Sequence, residues 1–474
     1  MDRCMGWVGI ALFIGLGWAC SRDRRAVHWP TIAWALALQW LFALVVLKGD
    51  ALAQALSFIP LPRGAALGVA AVAAGPVFLA GPALHRRWPG LDRRGLRWAL
   101  AALALVAALR ANLVGAGFDA LRRGVAQIMG YSQAGATFVF GPLADPGGAL
   151  LRDAQGTPLG SLGLVFAFVV LPTIIFVASL FAILYHLGVM QRVIDVFART
   201  FLRFLRMSGA ESVSVAASVL MGQTEAPLTI RPFLAGLTRS ELMVVMTAGM
   251  AHVSGAIMVA YVQVARVDVV HLLTAVVMTA PGAVLMAKLL EPETDRPATV
   301  GGLQVRLPRS DVNLLDAAVR GAGEGLQLAL NVAAMLVAFV ALVAMADGLL
   351  TRVHPALGLE HLLGLVFSPF ALAMGVPWAE AGPVAALLGK RMVLNEFVAF
   401  IDLGRMTGLS DHSRLIATFA LCGFANISSI AIQVGGIGAL VPERRGDLAQ
   451  LGFKAMLAGS MANALSACIA GILG

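Results

Sequence analysis

The chain has 474 residues, of which 59% are hydrophobic and 13% charged, and its mean hydropathy is +0.85. Soluble domains carry about 25% charged residues, so the composition argues against a soluble fold and for the bilayer. The net charge of +9 falls in short clusters between apolar runs, which fits topology signals. It does not fit a nucleic-acid surface, because no aromatic residues interleave the basic ones.

A transmembrane helix needs about 20 apolar residues. The first candidate spans are about 5–20 and 31–48. Between them lies Ser21-Arg22-Asp23-Arg24-Arg25, which places that loop in the cytoplasm and the N-terminus outside. The opening residues lack a small-residue cleavage site and read as a retained first helix. Spans at about 64–84 and 97–115 follow, joined by the basic loop His85 to Arg94. Residues 116–160 are less apolar and rich in Gly, and read as an interfacial amphipathic helix followed by a loop. A strong span at about 163–186 comes next. Gln191 to Arg206 then carries Arg192, Arg199, Arg203 and Arg206 among apolar residues, the pattern of an amphipathic helix on the cytoplasmic side.

The remainder is a weak internal repeat, Glu211 to Leu289 and Glu380 to Leu473. Each half opens with a segment too broken to span cleanly, holding Glu225 in one and Glu396 in the other. Each continues with an apolar helix interrupted by polar residues, at His252-Val253-Ser254-Gly255 and at Asn426-Ile427-Ser428-Ser429, and closes with an ordinary span. Between the halves run the polar loop Glu291 to Asp311 and a span at about 325–348. An odd number of spans separates the two opening hairpins, so the repeats are expected to be inverted. Paired broken segments at corresponding positions are the best sequence pointer to a transporter's binding site.

A carboxylate in apolar sequence costs at least a few kcal/mol unless it meets water or a partner. Glu225 and Glu396 are therefore the leading site candidates, against the alternative of helix-end glutamates near the headgroups. Gln223 and Thr224 beside one, and Asn426, Ser428 and Ser429 in the other half, supply amides and hydroxyls suited to a neutral polyhydroxylated ligand; their alternative use is interhelical bonding. Few cations converge there, which argues against a phosphorylated substrate. His252 stands mid-span and is either a satisfied core residue or a proton-binding group. Val434-Gly435-Gly436-Ile437-Gly438 reads as a helix break and not a phosphate loop, since no strand precedes it and no Lys follows. Cys4, Cys20, Cys422 and Cys468 show no CxxC pairing and read as small apolar residues. No protease, hydrolase or kinase motif appears, so no enzyme activity, cofactor or metal is expected.

Gly222-Gln223-Thr224-Glu225-Ala226-Pro227, Arg231-Pro232-Phe233, Asn395-Glu396-Phe397-Val398-Ala399, Cys422-Gly423-Phe424-Ala425-Asn426-Ile427-Ser428-Ser429 and Pro442-Glu443-Arg444-Arg445-Gly446-Asp447 closely resemble the concentrative nucleoside transporter family. The resemblance runs over most of residues 1–60 and 116–474. It implies an all-α polytopic membrane protein: an inverted repeat with two re-entrant helical hairpins and two broken transmembrane helices, plus scaffold helices. The implied division is 1–60 scaffold helices, 61–115 an inserted two-span hairpin, and 116–206 the interfacial helix, a scaffold span and the amphipathic helix. Transport repeat 1 is 207–290, a cytoplasmic loop 291–323, a scaffold span 324–355, and transport repeat 2 is 356–474. It further implies a homotrimer in the inner (plasma) membrane that imports nucleosides with a coupling cation. The base would be held by Gln223, Thr224 and Glu225 with Ile257 lining the pocket. The ribose would be held by Glu396, Asn426 and Ser429, with Phe424 packed against the nucleoside. The alternative on the same scaffold is a nucleoside-binding sensor or channel.

The positions that the resemblance assigns to the coupling ion are Ser218, Met221, His252 and Val253. Sodium-coupled members carry an asparagine where this chain has Ser218, and a serine or threonine where it has His252. Sodium prefers hard oxygen ligands, so the departure favours protons over sodium, with His252 or Glu225 as carrier.

Overall fold

The structure is a computed structural model that describes residues 2–55, 103–104, 106–107, 113–147, 150–152, 155, 158–161, 163, 165–299, 311–354 and 358–474. The expected insertion at 61–115 lies almost wholly outside those residues, as does the stretch 300–310 of the expected loop. The chain forms two compact units, one of residues 1–40, 125–472 and 474, the other of residues 41–124 with Leu473. The second unit contains the end of the helix Trp29–Leu47, the short helix Gly49–Ala55 and the start of the helix Leu113–Phe140.

Among the described residues, six helices are long and apolar enough to cross a bilayer, or seven if a bent pair counts as one span. The chain is a multi-pass membrane protein. Hairpin 1 rises as Gly209–Ser218, turns through Val219 to Glu225 and returns as the 3-10 helix Ala226–Gly236. Pro227 and Pro232 deny the returning arm two amide donors and leave a kink at Ile230, so it cannot settle into a regular α-helix. Broken helix 1 follows as Arg239–Ala251 and Gly255–Ala265, and the closing helix Val269–Leu290 ends the repeat. The second half mirrors it: hairpin 2 is Trp378–Val393 and Glu396–Arg405, broken helix 2 is Asp411–Leu421 and Ile427–Leu440, and the closing helix is Arg445–Leu473. Leu359–Ala373 turns by 116° into the first arm of hairpin 2. The turn uses Gly375, whose φ of 97° is open to glycine and strained for other residues.

Local sequence explains where these helices start. Ser208 with Glu211, and Thr238 with Glu241, form reciprocal capping boxes at the first arm of hairpin 1 and at broken helix 1. In the second half Asn395, Ser410 and Asn426 cap through single side-chain oxygens. The amphipathic helix is Val189–Leu205, with Met190, Ile194, Ala198, Phe201 and Leu205 buried at helical spacing. It stops at Arg206, whose φ is 52°.

Burial separates the repeats from the long helix. Some 89% of the apolar window of Arg239–Ala265 is buried within the structure, against 6% for Leu314–Arg352. The long helix meets Leu171–His186 at Gly321 and Gly325, where added Cβ atoms would lie 2.5 Å and 2.8 Å from those of Ala182 and Ala178. This is the small-residue spacing that lets membrane helices approach without hydrophobic help.

Two expectations are corrected. The helix preceding repeat 2 runs from Leu314 to Val353, so the loop expected over 291–323 ends before Leu314 and the span begins well before 324. Arg320 pairs with Glu324 at 2.7 Å on the helix itself and reaches back to Asp311 just before it at 2.6 Å, so charges that resemble a loop belong to the start of the helix. The stretch expected as a loop contains two short antiparallel strands, Leu150–Arg152 and Pro158–Ser161, and the helix before it, expected to be interfacial, runs Leu113–Phe140.

A charge cluster sits at the end of the first closing helix. Glu291 accepts from Arg22 at 2.7 Å and from Arg239 at 2.9 Å, and Lys454 lies 3.4 Å away. Burial alone would raise its carboxyl, but the hydrogen bond from Arg22 and the charges of Lys454 and Arg239 outweigh it and hold the group below the usual carboxylate range.

Candidate functional site

The hairpin tips and the helix breaks converge. Each break exposes backbone that a membrane interior cannot leave unpaired, so it must meet protein or line a cavity. At the tip of hairpin 1, Gln223 is buried and its Nε2 donates to Ser429 Oγ at 3.2 Å, across to broken helix 2. Its Oε1 is buried without a hydrogen-bond partner among the described residues. Glu225 remains exposed and accepts from the Gly222 amide at 3.2 Å. Thr224 packs its methyl toward Gly436, where an added Cβ would lie 2.7 Å from Thr224 Cγ2.

The tip of hairpin 2 makes the reciprocal crossing. Glu396 is 5% exposed, and Tyr261 of broken helix 1 donates its hydroxyl to Glu396 Oε1 at 2.8 Å. Asn426 Nδ2 donates to Glu396 Oε2 at 3.1 Å, while Asn426 Oδ1 accepts from the Ser429 amide at 2.9 Å and the Ser428 hydroxyl at 2.7 Å. One asparagine thus caps the second half of broken helix 2 and holds the buried carboxylate. Tyr261 is held by rings of hairpin 2, stacked on Phe400 at 4.4 Å between centroids and edge-on to Phe397 at 5.4 Å. Ile257 is buried one turn before Tyr261, and Phe424 is partly buried in the second break.

The four positions assigned to the ion are also gathered. The Gly255 amide donates to the Leu220 carbonyl at 3.2 Å, bringing the segment 218–221 against the first break. Met221 is partly buried and Val253 is buried beside that contact. Ser218 turns its hydroxyl back to the Ser214 carbonyl at 2.9 Å. His252 is 1% exposed, with Nδ1 2.7 Å from the Ala248 carbonyl. That contact makes Nδ1 the protonated nitrogen and leaves a lone pair on Nε2, for which no hydrogen-bond partner lies within bonding geometry among the described residues.

Residues 8–81 and 271–471 match the family described as Na+ dependent nucleoside transporter, N-terminus and C-terminus respectively, and residues 167–266 match the one described as Nucleoside recognition. The chain is 44% identical over 352 residues to the uncharacterized transporter YutK of Bacillus subtilis, covering 73% of this chain and 83% of that one. It is 38% identical over 385 residues to the nucleoside permease NupC of Helicobacter pylori, covering 79% and 88%. Among solved structures, CNTnw in an inward-facing substrate-bound state superposes with a TM-score of 0.79 at 35% identity, covering 100% of this chain and 98% of that one. This chain belongs to the concentrative nucleoside transporter family. An outward-facing state of a CNTnw variant superposes with a TM-score of 0.80 at the same identity, covering 100% and 98%.

As a concentrative nucleoside transporter, the chain gathers eight of the residues singled out from its sequence into two groups, while Glu225 bonds within its own tip and Ile257 and Phe424 are placed by burial alone. Gln223, Glu396, Asn426 and Ser429 are joined by direct hydrogen bonds or through Asn426, and Ser218, Met221, His252 and Val253 lie around the first break. Sequence reasoning missed Tyr261, and with it Arg391 and Asn463, which lie beneath the breaks. A tyrosine in an apolar helix carries no local mark of its partner. The glycine run Val434 to Gly438 does not break its helix, contrary to expectation: Ile427–Leu440 is continuous, and Gly436 serves the close approach of Thr224.

Proposed function

We propose that this protein imports nucleosides across the plasma (inner) membrane with a coupling cation, by alternating access. The observation that carries the reading is the crosswise pairing of the repeats. Hairpin 1 is tied to broken helix 2 by Gln223 and Ser429, and hairpin 2 is tied to broken helix 1 by Glu396 and Tyr261. A ligand seated beside these two bonds, which stay in place and hold the polar groups toward it, meets all four elements at once. Gln223, Thr224 and Glu225 present amide, hydroxyl and carboxylate to the base, with Ile257 against its face. Glu396, Asn426 and Ser429 present acceptors and donors to ribose hydroxyls, and Phe424 packs on the nucleoside.

Protons are favoured over sodium as the coupling ion. His252 occupies a position where sodium needs an oxygen, and its Nε2 lone pair can take a proton. Ser218 spends its hydroxyl hydrogen on its own helix. The homotrimer is what the family resemblance implies; the long apolar helix Leu314–Val353 leaves a surface that partner subunits or lipid would cover. The test is uptake of labelled uridine into proteoliposomes under separate proton and sodium gradients. Accumulation driven by an inward proton gradient supports the reading, strong sodium stimulation at fixed pH overturns the proton assignment, and no uptake under either overturns the transport reading.

A further inference from the structure

Asn463 lies buried in the second closing helix and touches both helix breaks. Its Nδ2 donates at 2.9 Å to the carbonyl of Ala251, the last residue of the first half of broken helix 1. It donates at 2.9 Å also to the carbonyl of Cys422, which caps the first half of broken helix 2. These are carbonyls of the kind that a helix end leaves without an intrahelical partner. On its other side, Asn463 Oδ1 accepts from Arg391 Nη2, and Arg391 Nε donates to the Gly423 carbonyl at 3.2 Å. A guanidinium can only donate, so the amide has one consistent orientation. The Phe424 amide donates to the His252 carbonyl at 3.2 Å and joins the two breaks directly. Gly423 is demanded by the same closeness, because a Cβ there would lie 2.5 Å from both the Ala251 carbonyl oxygen and Asn463 Oδ1.

Arg391 is 4% exposed, on the first arm of hairpin 2 and a little over one turn before Glu396. Burying a guanidinium is costly, and well-packed apolar residues often replace buried charges without loss of stability. Its donors here reach a backbone carbonyl beside the end of a half-helix and an amide that binds two such ends, where the negative pole of the helix dipole favours a cation. The residues next to this cluster in sequence are those the proposed function uses. His252 follows Ala251, Asn426 lies just beyond Gly423, and Glu396 shares a hairpin with Arg391.

We propose that Arg391 and Asn463 are positioning residues that clamp the two helix breaks and hairpin 2 into one unit, and so couple the cation position at His252 to the ribose position at Glu396 and Asn426. The coupling half rests on the nucleoside:cation reading above; the clamp itself does not.

The test uses the full chain in lipid nanodiscs, with Asn463→Ala, Asn463→Asp and Arg391→Lys. The aspartate keeps an acceptor for Arg391 and removes both donors to the breaks. Hydrogen exchange is measured first, without ligand. It is expected to rise at residues 251–255 and 422–426 together in the Asn463 variants, and at the hairpin 2 tip in Arg391→Lys, while Val269–Leu290 stays protected. Exchange that rises at one break alone, or at neither, overturns the clamp. Uridine dissociation constants are then measured at acidic and alkaline pH, with and without sodium. The ratio between the favourable and unfavourable cation condition is expected to shrink toward one by about fivefold or more in the variants, the lower end of ordinary site-to-site coupling. An unchanged ratio overturns the coupling. A wild-type protein that binds no uridine under any condition refutes the nucleoside reading, and the exchange result still decides the clamp. Loss of folded protein in all three variants assigns these residues to the framework and overturns the proposal.

Discussion

Tyr261 and Glu396 belong to opposite repeats, yet the hydroxyl of one donates to the carboxylate of the other at 2.8 Å. The contact fixes a buried carboxylate that also receives Asn426, so both oxygens of Glu396 are held before any ligand arrives. A hydrogen bond to a charged group contributes roughly 1.5–3 kcal/mol. Tyr261→Phe keeps the stacking on Phe400 and removes only the donor. Uridine affinity is expected to fall by about tenfold or more, since each 1.4 kcal/mol is about tenfold in Kd. Glu396→Gln should lose at least as much, because an amide cannot accept as a carboxylate does. Calorimetry on the purified protein measures both, and full affinity in either variant removes Glu396 from the site.

Thr224 and Gly436 give a prediction with its own rescue. A Cβ at Gly436 would lie 2.7 Å from Thr224 Cγ2, so Gly436→Ala must push the tip of hairpin 1 away from broken helix 2. Overpacking of this size costs about 1–3 kcal/mol. Nucleoside binding is expected to weaken accordingly in Gly436→Ala. Thr224→Ser removes the methyl and keeps the hydroxyl, so the double variant should recover most of the loss. Binding constants for the two single variants and the double variant form the cycle. Equal losses in Gly436→Ala with and without Thr224→Ser would show that the contact does not set the tip.

Glu291 sets an acid limit on stability. Its carboxyl is held below the usual range against burial by Arg22, Lys454 and Arg239. A depressed carboxylate contributes stability that is fully present above the unfolded value of about 4.3 and is lost as pH falls through the lower folded value. Melting temperature in detergent is therefore expected to hold from neutral pH to about 5 and to drop below it. Glu291→Gln should lower it only modestly at neutral pH, because Arg22 and Lys454 are exposed enough for water to replace the pairing, and should flatten the acid limb. An acid limb identical to wild type would show that Glu291 is not the group that titrates.

The repeat and its two breaks were legible because polar and turn-prone residues interrupt apolar runs there, and nothing else in a membrane span does that cheaply. Gln223, Glu396, Asn426 and Ser429 were legible for the same reason, and the structure joins them. Tyr261, Arg391 and Asn463 were not, since a tyrosine, an arginine or an asparagine in a helix shows its partner only once the chain is folded. The start of the long helix was hidden by Asp316, Arg320 and Glu324, which lie on its first turns. Gly435 and Gly436 misled in the other direction. Glycine costs a helix only about 1 kcal/mol against alanine, and a close neighbour such as Thr224 can require it. The strands Leu150–Arg152 and Pro158–Ser161 are too short to show alternation.

The choice of ion turns on Ser218 and His252. In this chain Ser218 bonds to its own helix, and His252 fills the break with a ring whose Nε2 has no hydrogen-bond partner among the described residues. An imidazole nitrogen can accept a proton, whereas sodium prefers hard oxygen ligands. If His252 alone carries the coupling, His252→Gln should abolish stimulation by a proton gradient while uridine exchange down its own gradient persists. Replacing both positions, Ser218→Asn with His252→Ser, supplies two hard oxygens in the segments that Leu220 and Gly255 hold together. That double variant is expected to lose proton stimulation and gain sodium stimulation in the same proteoliposomes. Sodium stimulation already present in the wild type, or proton stimulation retained in His252→Gln, would move the coupling site away from His252, with Glu225 the carboxylate next in line.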